Sequence, residues 1–512
     1  MDSGIHPNTK WTYHGTGGLL DLLQQKDQHQ RNTILLHLNQ THHLVHIEGV
    51  LSTHKSILRA IASRRLPNID QALRVAMHQG MSAMLDFAHL ALGLPATLTV
   101  RAIAAVPLLQ ASPATPSIED IVQSVDMAFG PLLHGVAVIR RPVHGTVGVD
   151  EIATEECLWW NDATNHVLGI CREHIGEWVR TIDSYEDVEV LVEEMKRKVI
   201  HHAVEATVCA VTLLSLDTRL GSARPIAVSG TCKAEKAPEH RKLLQTMLDG
   251  IAAAKVLQGI CIVCYASDGT SMCHKALCDM TTKRLLHRES NIFPYLGHLP
   301  LLNLWVGDDD LTVDKDYKHV AFKRVHNAVL RADGINVLGM LLTSEILCTH
   351  LQDESQILDL KEPTLTTLFN VADKQDVNRV YRLAFLIWEL WCVPIPNHRE
   401  ATYLLRLSAA AHMLLALYFH EGAKSRFLPN PLFIDIMLMI KNAYFCVAKA
   451  KADNPRSAWF LIWMGTNSLE SIFGVVRTMV GNDLNTDMLQ LAQRLSHSVE
   501  VTNVFAEYKV LE

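Results

Sequence analysis

The sequence predicts a mixed α/β core with helical regions before and after it. Three observations carry that prediction. Strand-like segments cluster between Val147 and Asp268, and the text on both sides of them has helical periodicity. Of 512 residues, 48% are apolar and 20% charged, the balance of an ordinary globular chain. That length suffices for two to four domains with buried cores.

Residues 1 to about 140 read as helical. "IDQALRVAMHQGMSAMLDFAHLALGLP" repeats apolar residues at three- and four-residue spacing and stops at Gly93 and Pro95. A Pro/Ser linker follows, then a helix starting near Ser117 with Glu119 and Asp120 in its first turn. From Val147, "GTVGVDEIATEECLWW", the turn "NDATN" and "HVLGICREH" read as a hairpin. "SYEDVEVLVEEMKRKVIHHA" is a charged helix with a solvated face. "VEATVCAVTLLSL" and "ARPIAVSGTC" are strands, "APEHRKLLQTMLDGIAAAKV" is an amphipathic helix, and "GICIVCYASDG" is a buried strand. Strand, strand, strand, helix, strand is the order of a mixed sheet. From about 325 to 455 nearly everything is helical. The most apolar stretches carry Arg, Asp, Lys and His, and they read as buried helices, not membrane spans.

The N-terminus is polar and has no signal-peptide pattern. Eleven cysteines, an odd number without framework spacing, fit a reducing compartment, cytosol or nucleus. A net charge of −7 means that any nucleic-acid contact has to come from local basic patches.

Three acids are candidate ligands for divalent ions. Asp150 lies inside an apolar strand, and Asp268 ends the strand expected beside it. Two carboxylates on neighbouring central strands repel and desolvate each other unless a cation sits between them. Glu470 is at the edge of the Leu469/Ile472/Phe473/Val476 stripe of an amphipathic helix; Gly474 one turn on is expected to allow close backbone approach, and Arg477 lies two turns on. Each has an ordinary reading too: Asp150 as a strand-end polar residue, Asp268 as a turn initiator, Glu470 as a first-turn acid favoured by the helix dipole. "DKDYKHVAFKRVHNAVL" gathers Lys318, His319, Lys323 and Arg324, which reads either as a phosphate-binding cluster or as a solvated basic face. Cys261, Cys264, Cys273, His274 and Cys278 have loosely zinc-like spacing. Cys261 and Cys264 are three apart in a strand, however, so they face opposite sides unless a bulge intervenes, which speaks against zinc there. The 27 histidines form no HExxH motif, and no Walker loop or GxGxxG occurs.

Several local motifs, in order, resemble the P element and hAT transposases. "VDEIATEECLWWNDATNHVLGIC" is similar to their hairpin segment, "SDGTSM" to their strand end, and "DYKHVAFKRVHNAVL" to their D-x-x-H segment. "DKQDVNRVYRLA" is similar to the stretch that follows, and "NSLESIFGVVRTMVGNDLN" to their glutamate helix. The resemblance, of the kind met in mushroom-forming fungi, spans roughly residues 80 to 500. It implies an α/β RNase H-like core, a mixed sheet flanked by helices, interrupted by a large all-α insertion and preceded by a helical N-terminal region. The implied domains are 1–140 (helical), 141–325 (first part of the core), 326–455 (insertion), 456–490 (last core helix) and 491–512 (tail). It implies a transposase-derived protein that cleaves and transfers DNA strands through Asp150, Asp268 and Glu470 holding two Mg2+ or Mn2+ ions. Lys318, Lys323, Arg324 and Arg477 are then DNA contacts and His319 supports the site. DNA is the implied partner, with a homo-oligomer as the state to look for, no membrane, and the nucleus as location. In P element transposases the insertion binds GTP; no residue here transfers that property. Two features depart from the family: no Cys/His recognition module is evident after Met1, and the chain is acidic. They favour the alternative, a catalytically silent relative acting as a DNA- or protein-binding scaffold.

Overall fold

A computed structural model describes residue 85 and residues 108–133, 143–175, 181–215, 221–257, 259–268, 271–316, 320, 335–337, 340–342, 403–420, 427–453, 464–479 and 486–507. Helix α1 (Ile118–Leu133) precedes the long strand β1 (Val143–Ala153) and the short strands β2 (Trp159–Asn161) and β3 (His166–Leu168). Then come α2 (Tyr185–Lys196), β4 (Glu205–Leu213), β5 (Arg224–Thr231), α3 (Ala237–Ala253), β6 (Ile260–Ser267) and α4 (Ser271–Thr281). The two-residue strands β7 (Arg284–Leu285) and β8 (Trp305–Val306) pair with each other, and β9 (Thr312–Lys315) follows. The remaining elements are β10 (Ile335–Val337), β11 (Met340–Leu342), α5 (Tyr403–His420), α6 (Asn430–Asp453), α7 (Asn467–Thr478) and α8 (Met488–Glu507).

Five strands form one sheet in the order β5-β4-β1-β6-β9. β1, β4 and β5 run antiparallel to one another, whereas β6 and β9 run parallel to β1. This mixed sheet with helices on both faces is an RNase H-like core. β4, "EATVCAVTL", shows why both faces are covered. Cys209, Val211 and Leu213 join α1, α3 and α4 in one apolar cluster, while Ala206, Val208 and Ala210 join α7 and α8 in another. Period-two alternation that is apolar on both faces is the mark of a strand buried between two helical layers.

The helix starts follow local chemistry. Before α1, Ser117 Oγ accepts from Asp120 N–H (3.1 Å) and Asp120 accepts from Ser117 N–H (2.9 Å). α2 carries the same reciprocal cap between Ser184 and Asp187.

Three expectations change. The stretch read as one strand of a hairpin divides: β1 enters the centre of the sheet, and the hairpin is the small β2–β3 pair beyond it. The segment 326–455 is described only in part. What is described adds a short hairpin, β10–β11, to the helices α5 and α6. α6 also packs directly on β6 and β9: its Asn442 accepts from Thr312 Oγ1 (2.5 Å), and its Lys449 Nζ donates to the Val263 carbonyl (2.8 Å). Finally, the β1–β6 register skips Val263, so a bulge lies between Ile262 and Cys264. The thiols flanking it still do not converge with the rest of that cysteine group. Cys264 faces Cys446, and His274 pairs with Asp435 at 3.0 Å. α6 is long and apolar enough to cross a membrane, but it is mostly buried within the protein and carries buried Asp435, Lys441 and Lys449.

Candidate active site: a row of acids at the strand ends

The register of the sheet places the first two predicted acids. β1 and β6 pair Val149 with Ser267, and β6 and β9 pair Ser267 with Lys315. The next residue on each chain is therefore Asp150, Asp268 and Asp316. Three adjacent parallel strands thus present an aspartate at the same level, just past the last paired residues of β1 with β6 and of β6 with β9. The backbone continues the ladder there, since Asp316 N–H donates to the Ser267 carbonyl at 3.0 Å. Neighbouring strands lie about 4.8 Å apart, so the row is spaced by backbone hydrogen bonding rather than by side-chain choice.

Asp150 has the same parity along β1 as Gly148 and Ile152, which face α7. α7 brings Glu470 over this edge from its first turn. Its stripe, Leu469, Ile472, Phe473 and Val476, is buried on the sheet as the spacing predicts. The chain enters α7 through Gly465, whose φ of +74° suits glycine, and Thr466. Buried Thr466 donates from Oγ1 to Asp316 Oδ2 at 3.0 Å, and Ser468 bonds Thr212 of β4 at 3.0 Å. The first contact ties the helix start to the acid row, and the second ties it to β4 further along the sheet.

Close approach occurs at a different glycine from the one expected. Gly474 is exposed, and a Cβ there would meet nothing within 4 Å. The helix instead rests on Gly148 of β1, where an added Cβ would touch Leu469 at 3.8 Å.

The other three acids all lie near enough for their charge to act on Asp150. Burial pushes the Asp150 carboxyl up to about 7, and the charges of Asp268, Asp316 and Glu470 push the same way. Only the 2.8 Å hydrogen bond from Glu151 N–H to Asp150 Oδ1 opposes them. Glu151, on the opposite parity, is also raised to about 7, by burial and then by Glu205. Carboxylates gathered so that three of them disfavour the charge of Asp150 fit a hard divalent cation. Asp150, Asp268 and Glu470 are thus brought together. Arg477 is exposed on α7. Lys318, His319, Lys323 and Arg324 lie outside the described residues.

The sequence reading missed Asp316. Its signal was present, because Asp316 opens "DYKH", but that segment was weighed only for its basic residues. Asp316 is fully buried. Beside it on the opposite parity, buried Lys315 lies 3.7 Å from Asp435 of α6.

No protein-family model and no curated protein matches the sequence. The fold matches that of a solved structure, the Drosophila P element transposase strand transfer complex, with a TM-score of 0.52 at 12% identity. The chain has the fold of the P element transposase. The match covers 86% of this chain and 93% of the P element transposase chain, so it extends well beyond the five-stranded sheet. At that identity the likeness to P element transposase concerns fold, and the chemistry of this chain rests on its own residues.

Proposed function

We propose that the protein is transposase-derived and catalyses metal-dependent cleavage and transfer of DNA strands at Asp150, Asp268 and Glu470. The observation that carries this reading is the row of acids in register at the parallel strand ends, with Glu470 laid over it. The likeness to a P element transposase strand transfer complex supports DNA as the partner. Two Mg2+ or Mn2+ ions held there supply an activated water or 3′ hydroxyl and a counter-charge for the leaving oxygen. The chain's own residues set the conditions. Asp150 holds its proton more readily than an ordinary carboxyl, because burial and like charge disfavour its ionised form, and it would release that proton to solvent on binding a cation. Asp316, held by Thr466, keeps the α7 start against the strand ends and adds negative charge. Glu470 joins from a helix fixed by both sheet and hydroxyl contacts. Lys318, Lys323, Arg324 and Arg477 are the proposed phosphate contacts and His319 the supporting residue, in a protein that acts in the nucleus as a homo-oligomer. GTP finds no supporting residue among those described.

The scaffold alternative shares the fold and lacks the cutting step, and the net charge of −7 favours it. Nicking of supercoiled DNA in Mn2+ separates the two, read for the wild type, Asp150→Asn and Asp268→Asn alongside DNA binding by gel shift. The proposal expects nicking by the wild type only, with binding retained in all three. DNA binding without metal-dependent nicking in the wild type establishes the scaffold reading. Undiminished nicking by Asp268→Asn overturns the assignment of the site.

A further inference from the structure

A second cluster lies at the opposite edge of the sheet, and its donors are soft where the first set is hard. Cys171 and His174 follow β3, His201 precedes β4, and Cys232 follows the edge strand β5. One donor atom from each lies within 4.8 Å of the others. His174 Nδ1 is 3.2 Å from Cys171 Sγ and 3.4 Å from Cys232 Sγ. Tetrahedral zinc, with bonds of about 2.3 Å to sulfur and 2.0 Å to nitrogen, implies S···N edges of about 3.5 Å. We propose that Cys171, His174, His201 and Cys232 form a structural zinc site that fastens the β2–β3 hairpin to the edge of the catalytic-type sheet.

Backbone and side-chain hydrogen bonds fix the segments that carry the four residues. The "CREH" turn is tied to the chain before β4 and to the end of β5. Cys171 N–H donates to the His201 carbonyl (3.0 Å), and Arg172 N–H to the Gly230 carbonyl (3.0 Å). The Arg172 guanidinium forks onto Glu235 through Nη2 (2.6 Å) and Nε (3.2 Å) and reaches Thr207 Oγ1 (3.0 Å). Glu173 accepts from Thr231 Oγ1 and from Cys232 N–H. The β5 end is therefore clamped against the knuckle on both sides of Cys232. Gly169 turns the chain into this knuckle with φ of +95°, where a Cβ would collide with the Cys157 carbonyl.

The histidines are oriented as ligands are. The His174 and His201 rings stack with centroids 3.9 Å apart. His201 Nε2 lies 3.0 Å from the Lys198 carbonyl. An Nε2–H donating there leaves the lone pair on Nδ1, the carbonyl-backed arrangement common behind metal-bound imidazoles. Two thiols and two imidazoles select zinc over magnesium or calcium.

The test is metal analysis of the full-length chain, purified under reducing conditions without chelator. About one zinc per chain is expected from a single tetrahedral site, falling to background in the double variant Cys171→Ser/Cys232→Ser. Cobalt exchange into the wild type guards against a variant that misfolds. It should give tetrahedral d–d bands with a thiolate charge-transfer band, and His201→Cys should keep the metal and raise that band by about half, three thiolates replacing two. A chain without zinc whose Cys171 and Cys232 react as free thiols overturns the proposal. So does a Cys171–Cys232 disulfide under those conditions, or a cobalt spectrum without thiolate character. Mn2+ binding at Asp268 is read separately by calorimetry, so failure of one site leaves the other tested.

Discussion

Replacing Asp150 by asparagine should stabilise the protein, and only above acid pH. In the folded chain the carboxyl is raised from an ordinary 3.8 to about 7. Below pH 3.8 the group is protonated in both folded and unfolded chains and contributes nothing. As pH rises toward 7 the unfolded chain ionises first, the folded chain holds the extra proton, and stability falls until both are ionised. A shift of about 3 units at 1.36 kcal/mol each sets a ceiling of about 4 kcal/mol on that loss. Asparagine keeps the acceptor for Glu151 N–H and removes the charge. The variant should therefore gain up to about 4 kcal/mol over wild type at pH 8 and little at pH 4. At about 2 °C per kcal/mol that is a gain in Tm of up to about 8 °C. Melting curves of both proteins across pH 4–8 in chelator read this directly. Because Glu151 titrates in both, the difference curve isolates Asp150. The reasoning is refuted if the two proteins melt together at pH 8, or if the gap is widest at pH 4. Adding Mn2+ should then raise the wild-type Tm and close the gap, since the cation offsets the same repulsion.

Other outcomes follow from the same structure. His274, raised to about 9 chiefly by its contact with Asp435, contributes stability that is full below its ordinary 6.5 and is lost as pH rises through 9. His274→Gln should cost more at pH 6 than at pH 9.5 in urea titrations. Burial pushes Glu235 up, yet His240 and Arg172 hold it down to about 2. Arg172→Ala should destabilise by about 3 kcal/mol, by leaving that carboxylate buried without its fork, and chemical denaturation checks this. Lys449→Met removes the shorter of two hydrogen bonds to the Val263 carbonyl, leaving the longer one from Thr312 Oγ1, and should cost about 1 kcal/mol. Gly148→Ala should be tolerated, whereas Gly148→Leu should lift α7 off β1 at about 1–3 kcal/mol and weaken Mn2+ binding with it.

How much of this could be read in advance depended on range along the chain. β4, β5, α3 and β6 were legible because each declares itself by local periodicity. Asp150 and Asp268 were legible because an acid inside apolar strand text is locally anomalous. Glu470 stood out only beside a stripe that named its helix. Asp316 was not, because only the β6–β9 register shows it to be level with Asp268. The Cys/His quartet was harder still. Cys171 and His174 are near neighbours, but His201 and Cys232 join them through strand pairing, which spacing alone does not reveal. The hairpin was misdrawn for the opposite reason: β1 and β2 are adjacent in sequence, and nothing local says that the first belongs to the central sheet. Gly474 invited a packing role by its place on the helix, while the contact had been made from the other partner, at Gly148.

The order in which the acids occur along the chain has a consequence for synthesis. The first three are set by the sheet, which is complete once β9 has left the ribosome. The fourth waits for the long segment before α7. Until α7 and α8 emerge, Ile152, Ala206, Val208 and Val228 present an uncovered apolar sheet face, and the aspartate row has no glutamate above it. A growing or prematurely terminated chain is therefore sticky and needs chaperoning, yet it holds only part of the carboxylate set. The geometry that closes the core is the same event that completes the site.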